Sequence, residues 1–140
     1  MTDATCTTCH RRVDDMDAPM VPDGQLDLSD GFDPTVTAHL ISYRELLFPD
    51  NAQEVNLGVL QDILVQVGVN PGTGDPILQP IPIGPSMRVA GANASPQFFD
   101  RFDNEPTHMG LLTDAELRLI SEWLDIGGQY FNNPFDVPIN

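Results

Sequence analysis

The chain has 140 residues, enough for one domain that buries most of its apolar surface. Twenty-one acidic residues stand against six arginines and no lysine, so the net charge is −15. This charge argues against nucleic acid and anionic membranes as partners, and no stretch is long or apolar enough to span a bilayer.

The segment Cys6-Thr7-Thr8-Cys9-His10 stands near the start of the chain. Cys-x-x-Cys-His is the sequence at which haem is covalently attached in c-type cytochromes. Two cysteines three positions apart lie on one side of a helical turn, where both sulfurs can form thioethers with one edge of a porphyrin. His10 then meets the iron, and its other ring nitrogen is expected to donate to a backbone carbonyl. The motif therefore predicts one haem c, held by Cys6 and Cys9 and ligated by His10.

Two other kinds of site use similar cysteines. A zinc site would need a further ligand, and only His39 and His108 are available as additional histidines. A thioredoxin-type redox pair would follow a strand in a βαβ pattern, which the N-terminus lacks. Haem attachment is the favoured interpretation.

The next elements follow in chain order. Residues 14–34 are acidic and rich in turn formers, which predicts a loop that folds over a haem edge. Residues 35–47 predict one or two helical turns, with Ser42 and Glu45 as a capping box. Over 59–87, alternating apolar residues on either side of a Pro- and Gly-rich turn predict a β-hairpin insertion with an edge strand.

The C-terminal part of the sequence carries two helix signals. Ser95-Pro96 is typical of an N-cap followed by a first-turn proline, which predicts a short helix that contains Phe98, Phe99 and Phe102. Thr113 and Glu116 form a capping box ahead of an apolar stripe, and the Gly127-Gly128 pair ends that last helix.

The sixth iron ligand is expected to be a methionine or a histidine. Met16, Met20, Met87, Met109, His39 and His108 are the candidates. Met109 is favoured because it stands on a loop just before the capped helix; Met87, His108 and an open site remain alternatives.

These features together resemble the class I c-type cytochromes of bacteria. In that family the attachment motif lies near the start, and the distal methionine precedes a last helix similar to the segment that begins at Leu112-Thr113 and contains Glu116, Ile120 and Trp123. The resemblance implies a mostly α, cytochrome c-like helical fold around one haem, in a single domain over 1–140. It also implies His10 and Met109 as iron ligands.

Supporting roles are predicted for a few further residues. Arg11, Arg12 and Arg44 are expected to pair with haem propionates, because a guanidinium matches a carboxylate in bidentate fashion. Tyr43 and Trp123 are expected to contact the haem edge or the core.

The predicted function is that of an electron carrier with His/Met ligation, which exchanges single electrons with a redox partner of basic docking surface. A haem enzyme or gas sensor with an open sixth site, such as a small peroxidase, is the alternative. Covalent haem attachment implies export to the periplasm or beyond it, with a leader absent from this sequence. The chain also resembles, more loosely, single-haem domains that are parts of larger secreted proteins.

Overall fold

A computed structural model describes residues 4–130, with side chains described from Cys6 onward. The chain divides into two compact units at the Pro85/Ser86 junction. The described elements are four α-helices, six strands and two 3-10 turns; the α-helices are α1 (Ala4–Thr7), α2 (Ile41–Leu47), α3 (Pro96–Asn104) and α4 (Asp114–Asp125). None of these helices is long and apolar enough to cross a membrane.

The prediction of a mostly α, cytochrome c-like helical fold is wrong. The chain is a mixed α/β protein with small antiparallel sheets. The strands are β1 (Asp50–Asn51), β2 (Gln53–Asn56), β3 (Val59–Asp62), β4 (Leu64–Val69), β5 (Pro76–Pro80) and β6 (Pro82–Ile83). Alternating apolar residues and frequent prolines over this stretch favour strands and exclude helix.

The six strands form three antiparallel pairs. Strand β1 pairs with β6, β2 with β3 and β4 with β5. The last pair is a hairpin within the predicted range 59–87, whereas β3, in the same range, pairs with β2, and β1 and β2 were not predicted. The pairs meet near Ala52, whose amide donates to Ile81 at 2.8 Å and whose carbonyl accepts from Ile63 at 2.8 Å.

A two-residue loop, Leu57-Gly58, joins β2 to β3. Asn56 pairs with Val59 across the hairpin, and both loop residues have a positive φ, of 51° and 77°. This is the backbone of a type I′ turn, which twists in the same sense as the strands. Gly58 adopts it without strain, whereas Leu57 is 98% exposed and has a side chain that disfavours it.

The second unit begins with a 3-10 turn, Ala92–Ala94, and contains α3 and α4. Helix α4 has the predicted capping box: the Glu116 amide donates to the Thr113 hydroxyl, and the Glu116 carboxylate accepts from the Thr113 amide at 2.8 Å. The Thr113 amide and the Thr113 hydroxyl both donate to the Glu116 carboxylate, and they hold the pKa of Glu116 below its usual value. Ser95 precedes α3 as predicted, but its hydroxyl makes no cap; it accepts from the Arg88 amide at 2.8 Å.

Few apolar side chains are buried among the described residues. They are Leu47 and Ala52 in the first unit and Met87 and Leu124 in the second. The first unit also buries Asp27, whose residue is 1% exposed. Hydrogen bonds and ion pairs therefore contribute much of the stability of the loops in the first unit.

Candidate cofactor attachment site

The Cys-x-x-Cys-His segment forms a helical turn at the end of α1. The Cys9 amide donates to the Cys6 carbonyl at 3.3 Å, and the His10 amide donates to the same carbonyl at 3.0 Å. Residues three apart on such a turn lie on one side of it. Cys6 is half-buried and Cys9 is exposed. The two thiols thus stand one turn apart on a local structure that suits a two-point covalent attachment.

The imidazole of His10 is oriented by a backbone carbonyl. Its Nδ1 atom donates to the carbonyl oxygen of Asp23 at 2.8 Å. A carbonyl only accepts, so Nδ1 carries the proton and the lone pair of the neutral ring lies on Nε2. This is the tautomer that a histidine needs in order to bind a metal through Nε2. The sequence predicted a carbonyl partner of this kind without indicating which residue would supply it.

The loop that supplies this carbonyl is itself bonded to the motif. The Asp23 amide donates to the Cys9 carbonyl at 3.0 Å, and the Leu28 amide donates to the His10 carbonyl at 2.8 Å. The 23–28 loop and the motif therefore bond in both directions. A change in the position of this loop would change the orientation of the His10 ring.

Arg12 links the motif to two acidic side chains that are distant in sequence. Its Nε atom lies 3.0 Å from Asp27 Oδ2, and its Nη2 atom lies 2.8 Å from Glu45 Oε1. Glu45 Oε2 also accepts from the Asp27 amide at 3.2 Å. The network ties the motif, the following loop and helix α2 together. Glu45 does not form the predicted capping box with Ser42, because α2 begins after Leu40 without a side-chain cap.

The pKa of Glu45 is raised to about 7. Burial is the main cause, because it disfavours the charged carboxylate, and the nearby Asp50 adds to the shift. The Asp27 amide and the Arg12 guanidinium act in the opposite direction. Burial thus makes the neutral form of Glu45 more favourable than it is in an exposed glutamate.

The other predicted residues of this unit contact side chains of the same chain. Arg11 Nη2 donates to Asp15 Oδ1 at 2.6 Å, and the Asp15 side chain is 90% exposed. The Arg44 guanidinium lies 4.1 Å from the centroid of the Phe48 ring. Tyr43 makes an edge contact with His39, with ring centroids 5.0 Å apart.

The predicted residues of the second unit differ in exposure. Met109 is 55% exposed, and its amide donates to the Glu105 carbonyl at 2.9 Å. Met87, the alternative ligand, is 2% exposed, so its sulfur is withdrawn from the surface of this unit. Trp123 Nε1 donates to the carbonyl of Gln129 at 2.9 Å. His108 Nδ1 lies 2.9 Å from the Thr107 hydroxyl, and its ring contacts Phe102 at 5.7 Å.

Sequence reasoning missed three contributors to this site. They are the Asp23 carbonyl, the Asp27 carboxylate and the Glu45 carboxylate. The first bonds to a residue 13 positions away and the last to one 33 positions away. No local pattern marks such long-range pairs; the high density of acidic residues after the motif was the only signal.

Over residues 4–130, no group of three or more His, Cys, Asp or Glu side chains is arranged to hold a metal ion. The zinc alternative gains no support from this part of the chain. No protein-family model, curated protein or solved structure matches the chain.

Proposed function

We propose that this protein carries one covalently bound haem c and transfers single electrons. Cys6 and Cys9 would form the two thioethers, and His10 would be the proximal iron ligand. The observation that carries the proposal is the hydrogen bond from His10 Nδ1 to the Asp23 carbonyl, which sets the tautomer and orientation of a ligating imidazole.

The residues around the motif fit such a group. A haem supplies a one-electron change between ferric and ferrous iron. The 23–28 loop holds the His10 ring, and a fixed ring limits atomic movement when the charge of a bound metal changes. Arg11 and Arg44 are placed in the same unit, and their guanidinium groups suit the propionates of the porphyrin. Exposed apolar side chains on the loops after the motif, such as Phe32 at 65%, offer contacts to a flat apolar ring.

The sixth ligand in this proposal is Met109. The support for it is the resemblance of its loop and helix to those of class I c-type cytochromes, together with the exposure of its side chain. A thioether ligand favours ferrous iron relative to a second imidazole and makes the protein an electron carrier rather than an enzyme. The expected redox partner has a basic docking surface, since this chain carries a net charge of −15. Haem c maturation implies a periplasmic or extracellular location.

The attachment is tested by producing the chain together with a bacterial cytochrome c maturation system. The wild type should keep its haem through denaturing electrophoresis, with a mass increase of one haem. Cys6→Ala and Cys9→Ala should each leave one thioether, which shifts the absorption of the pyridine haemochrome, and the double variant should bind no haem covalently. A wild-type chain that matures without haem would overturn the proposal.

Optical spectroscopy tests the ligation. The wild type should be low-spin in both oxidation states, with the weak near-red band of a sulfur-to-iron bond. Met109→Ala should lose that band and bind carbon monoxide when reduced. Met16→Ala is the matched control, because Met16 is an 85% exposed methionine whose loss should leave the Met109–iron bond intact. An open iron in the wild type would favour the enzyme or sensor alternative.

A further inference from the structure

The β4–β5 hairpin is unusual in its surface chemistry. All its strand residues but Gly68 are exposed, with exposed fractions of 41 to 53% for Leu64, Val65, Val67, Val69, Ile77 and Leu78. From Ile63 to Met87 the chain has only one charged residue, Asp75, which lies in the turn. A protein with a net charge of −15 thus presents an apolar arm that is almost without charge.

The two faces of the hairpin are both apolar. The register pairs Leu64 with Pro80 and Gln66 with Leu78 on one face, and it pairs Val65 with Gln79 on the other. A two-stranded sheet with neither face covered is marginally stable in water. Additional strands would stabilise it, because they bury side chains and satisfy edge hydrogen bonds.

The two edges of the hairpin differ in their ability to accept another strand. Strands of an antiparallel pair bond to each other through alternate residues. Ile63 accepts from Ile81 at 3.2 Å and Asn70 donates to Asp75 at 2.8 Å, so the adjacent residues direct their backbone groups outward. These are Leu64 and Val69 on β4, and Pro80 and Pro76 on β5.

The three residues of β5 that direct their backbone groups outward are Pro76, Leu78 and Pro80. Proline has no amide hydrogen, so two of these three positions cannot donate to another strand. The outer edge of β4 contains neither proline nor charge. A bulge between Gln66 and Gly68 bends it, which leaves 64–66 as its regular part. Natural edge strands are normally protected by charges or prolines, and β4 is protected by the bulge alone.

We propose that this hairpin is a dimerisation arm, in which the β4 edge pairs antiparallel with the β4 edge of a second copy of this chain. A two-fold axis at Val65 would pair Leu64 with Gln66 of the second copy and produce a four-stranded sheet. The charge distribution favours a second copy of this chain over a basic partner. Between Ile63 and Met87 only Asp75 is charged, so two copies with a charge of −15 each could pair along β4 with little repulsion, and the strands of the hairpin offer a basic partner no carboxylate.

Sedimentation velocity of the haem-matured full chain over a concentration series tests the proposal. The dimer fraction should rise with protein concentration. It should also rise between about 0.05 and 0.5 M salt, because salt screens the repulsion between the acidic bodies. A chain that stays monomeric over the whole series would overturn the proposal and leave the hairpin to a different partner.

Matched variants identify the edge. Gln66→Pro removes an outward amide from β4, and Leu78→Pro removes the equivalent outward amide from β5. We expect the first to weaken dimerisation at least about tenfold and the second to leave it unchanged. Circular dichroism of both variants checks that the hairpin survives.

Gln66→Glu and Gln79→Glu form a second pair that leaves the backbone intact. Gln66→Glu places two like charges close to the proposed axis and should weaken the dimer, whereas Gln79→Glu places its charge on β5. A dimer that is insensitive to both changes at Gln66 would show that the contact lies elsewhere and would overturn the proposal.

Discussion

The cysteine-bearing segment and the β4–β5 hairpin belong to the same unit, yet different interactions hold them. The first is fixed by hydrogen bonds and ion pairs between residues far apart in sequence, among them Arg12 with Asp27 and Glu45. The hairpin is fixed by the 70–75 turn and by pairing between near neighbours, with its side chains left exposed. Substitutions should therefore be costly in the first region and mild in the second.

The largest effect is expected at Arg12. Arg12→Ala leaves the Asp27 carboxylate, 1% exposed, without its guanidinium. Loss of one partner from a buried ion pair costs about 3–5 kcal/mol, and because Arg12 is 34% exposed we expect about 2–3 kcal/mol. The measurement is the free energy of unfolding in urea.

Arg11→Ala is the matched control for this variant. Arg11 is the neighbouring residue, and its acidic partner Asp15 is 90% exposed, so we expect a loss below about 1 kcal/mol. Equal losses for the two arginines would contradict the view that buried charge pairing fixes the motif.

A smaller effect is expected from the titration of Glu45. Its pKa is about 7 in the folded protein and near 4.5 when unfolded, so between these values the folded state binds more protons. The free energy of unfolding should then fall as the pH rises from about 4.5 to 7. Solvent screening reduces the contribution to about 1–2 kcal/mol.

Comparison with Glu45→Gln isolates this contribution. The amide cannot ionise, and it still accepts from the Asp27 amide. We expect the difference in unfolding free energy between wild type and variant to change by about 1–2 kcal/mol between pH 5 and pH 8. A constant difference would contradict a raised Glu45 pKa.

The smallest effect is expected in the hairpin. Leu78 is 50% exposed, so Leu78→Thr removes little buried surface and keeps a residue that favours strands. At protein concentrations low enough to keep the chain monomeric, the free energy of unfolding should change by less than about 0.5 kcal/mol. A loss comparable to that of Arg12→Ala would show that the hairpin contributes to a core and would remove the contrast between the regions.

Local signals in the sequence predicted local structure. The Thr113–Glu116 capping box and the Asn70-Pro71-Gly72 turn act over a few residues, and both elements are present. The same logic was wrong for Ser42 and Glu45, because Glu45 bonds to Arg12 and to the Asp27 amide instead of the helix start. A carboxylate that satisfies a capping pattern can gain more from a distant guanidinium than from a local amide.

The overall fold was not predictable from the same signals. The mostly helical expectation followed from a resemblance carried by the motif and by the segment of α4, whereas the strands between them are short and contain many prolines. The candidate site was predictable at Cys6, Cys9 and His10, where spacing carries the chemistry. Its supporting residues Asp23, Asp27 and Glu45 depend on the path of the loops, which spacing does not encode.

The Leu57-Gly58 turn shows that the sequence of this chain does not give the highest stability that its fold allows. A left-handed conformation at a fully exposed leucine costs about 1 kcal/mol, and asparagine adopts it more readily. Nothing in the contacts of β2 and β3 requires leucine there. A single substitution at this turn could therefore stabilise the protein and offset a destabilising change elsewhere. Stabilising substitutions of this kind let a protein accept new surface residues without losing its fold.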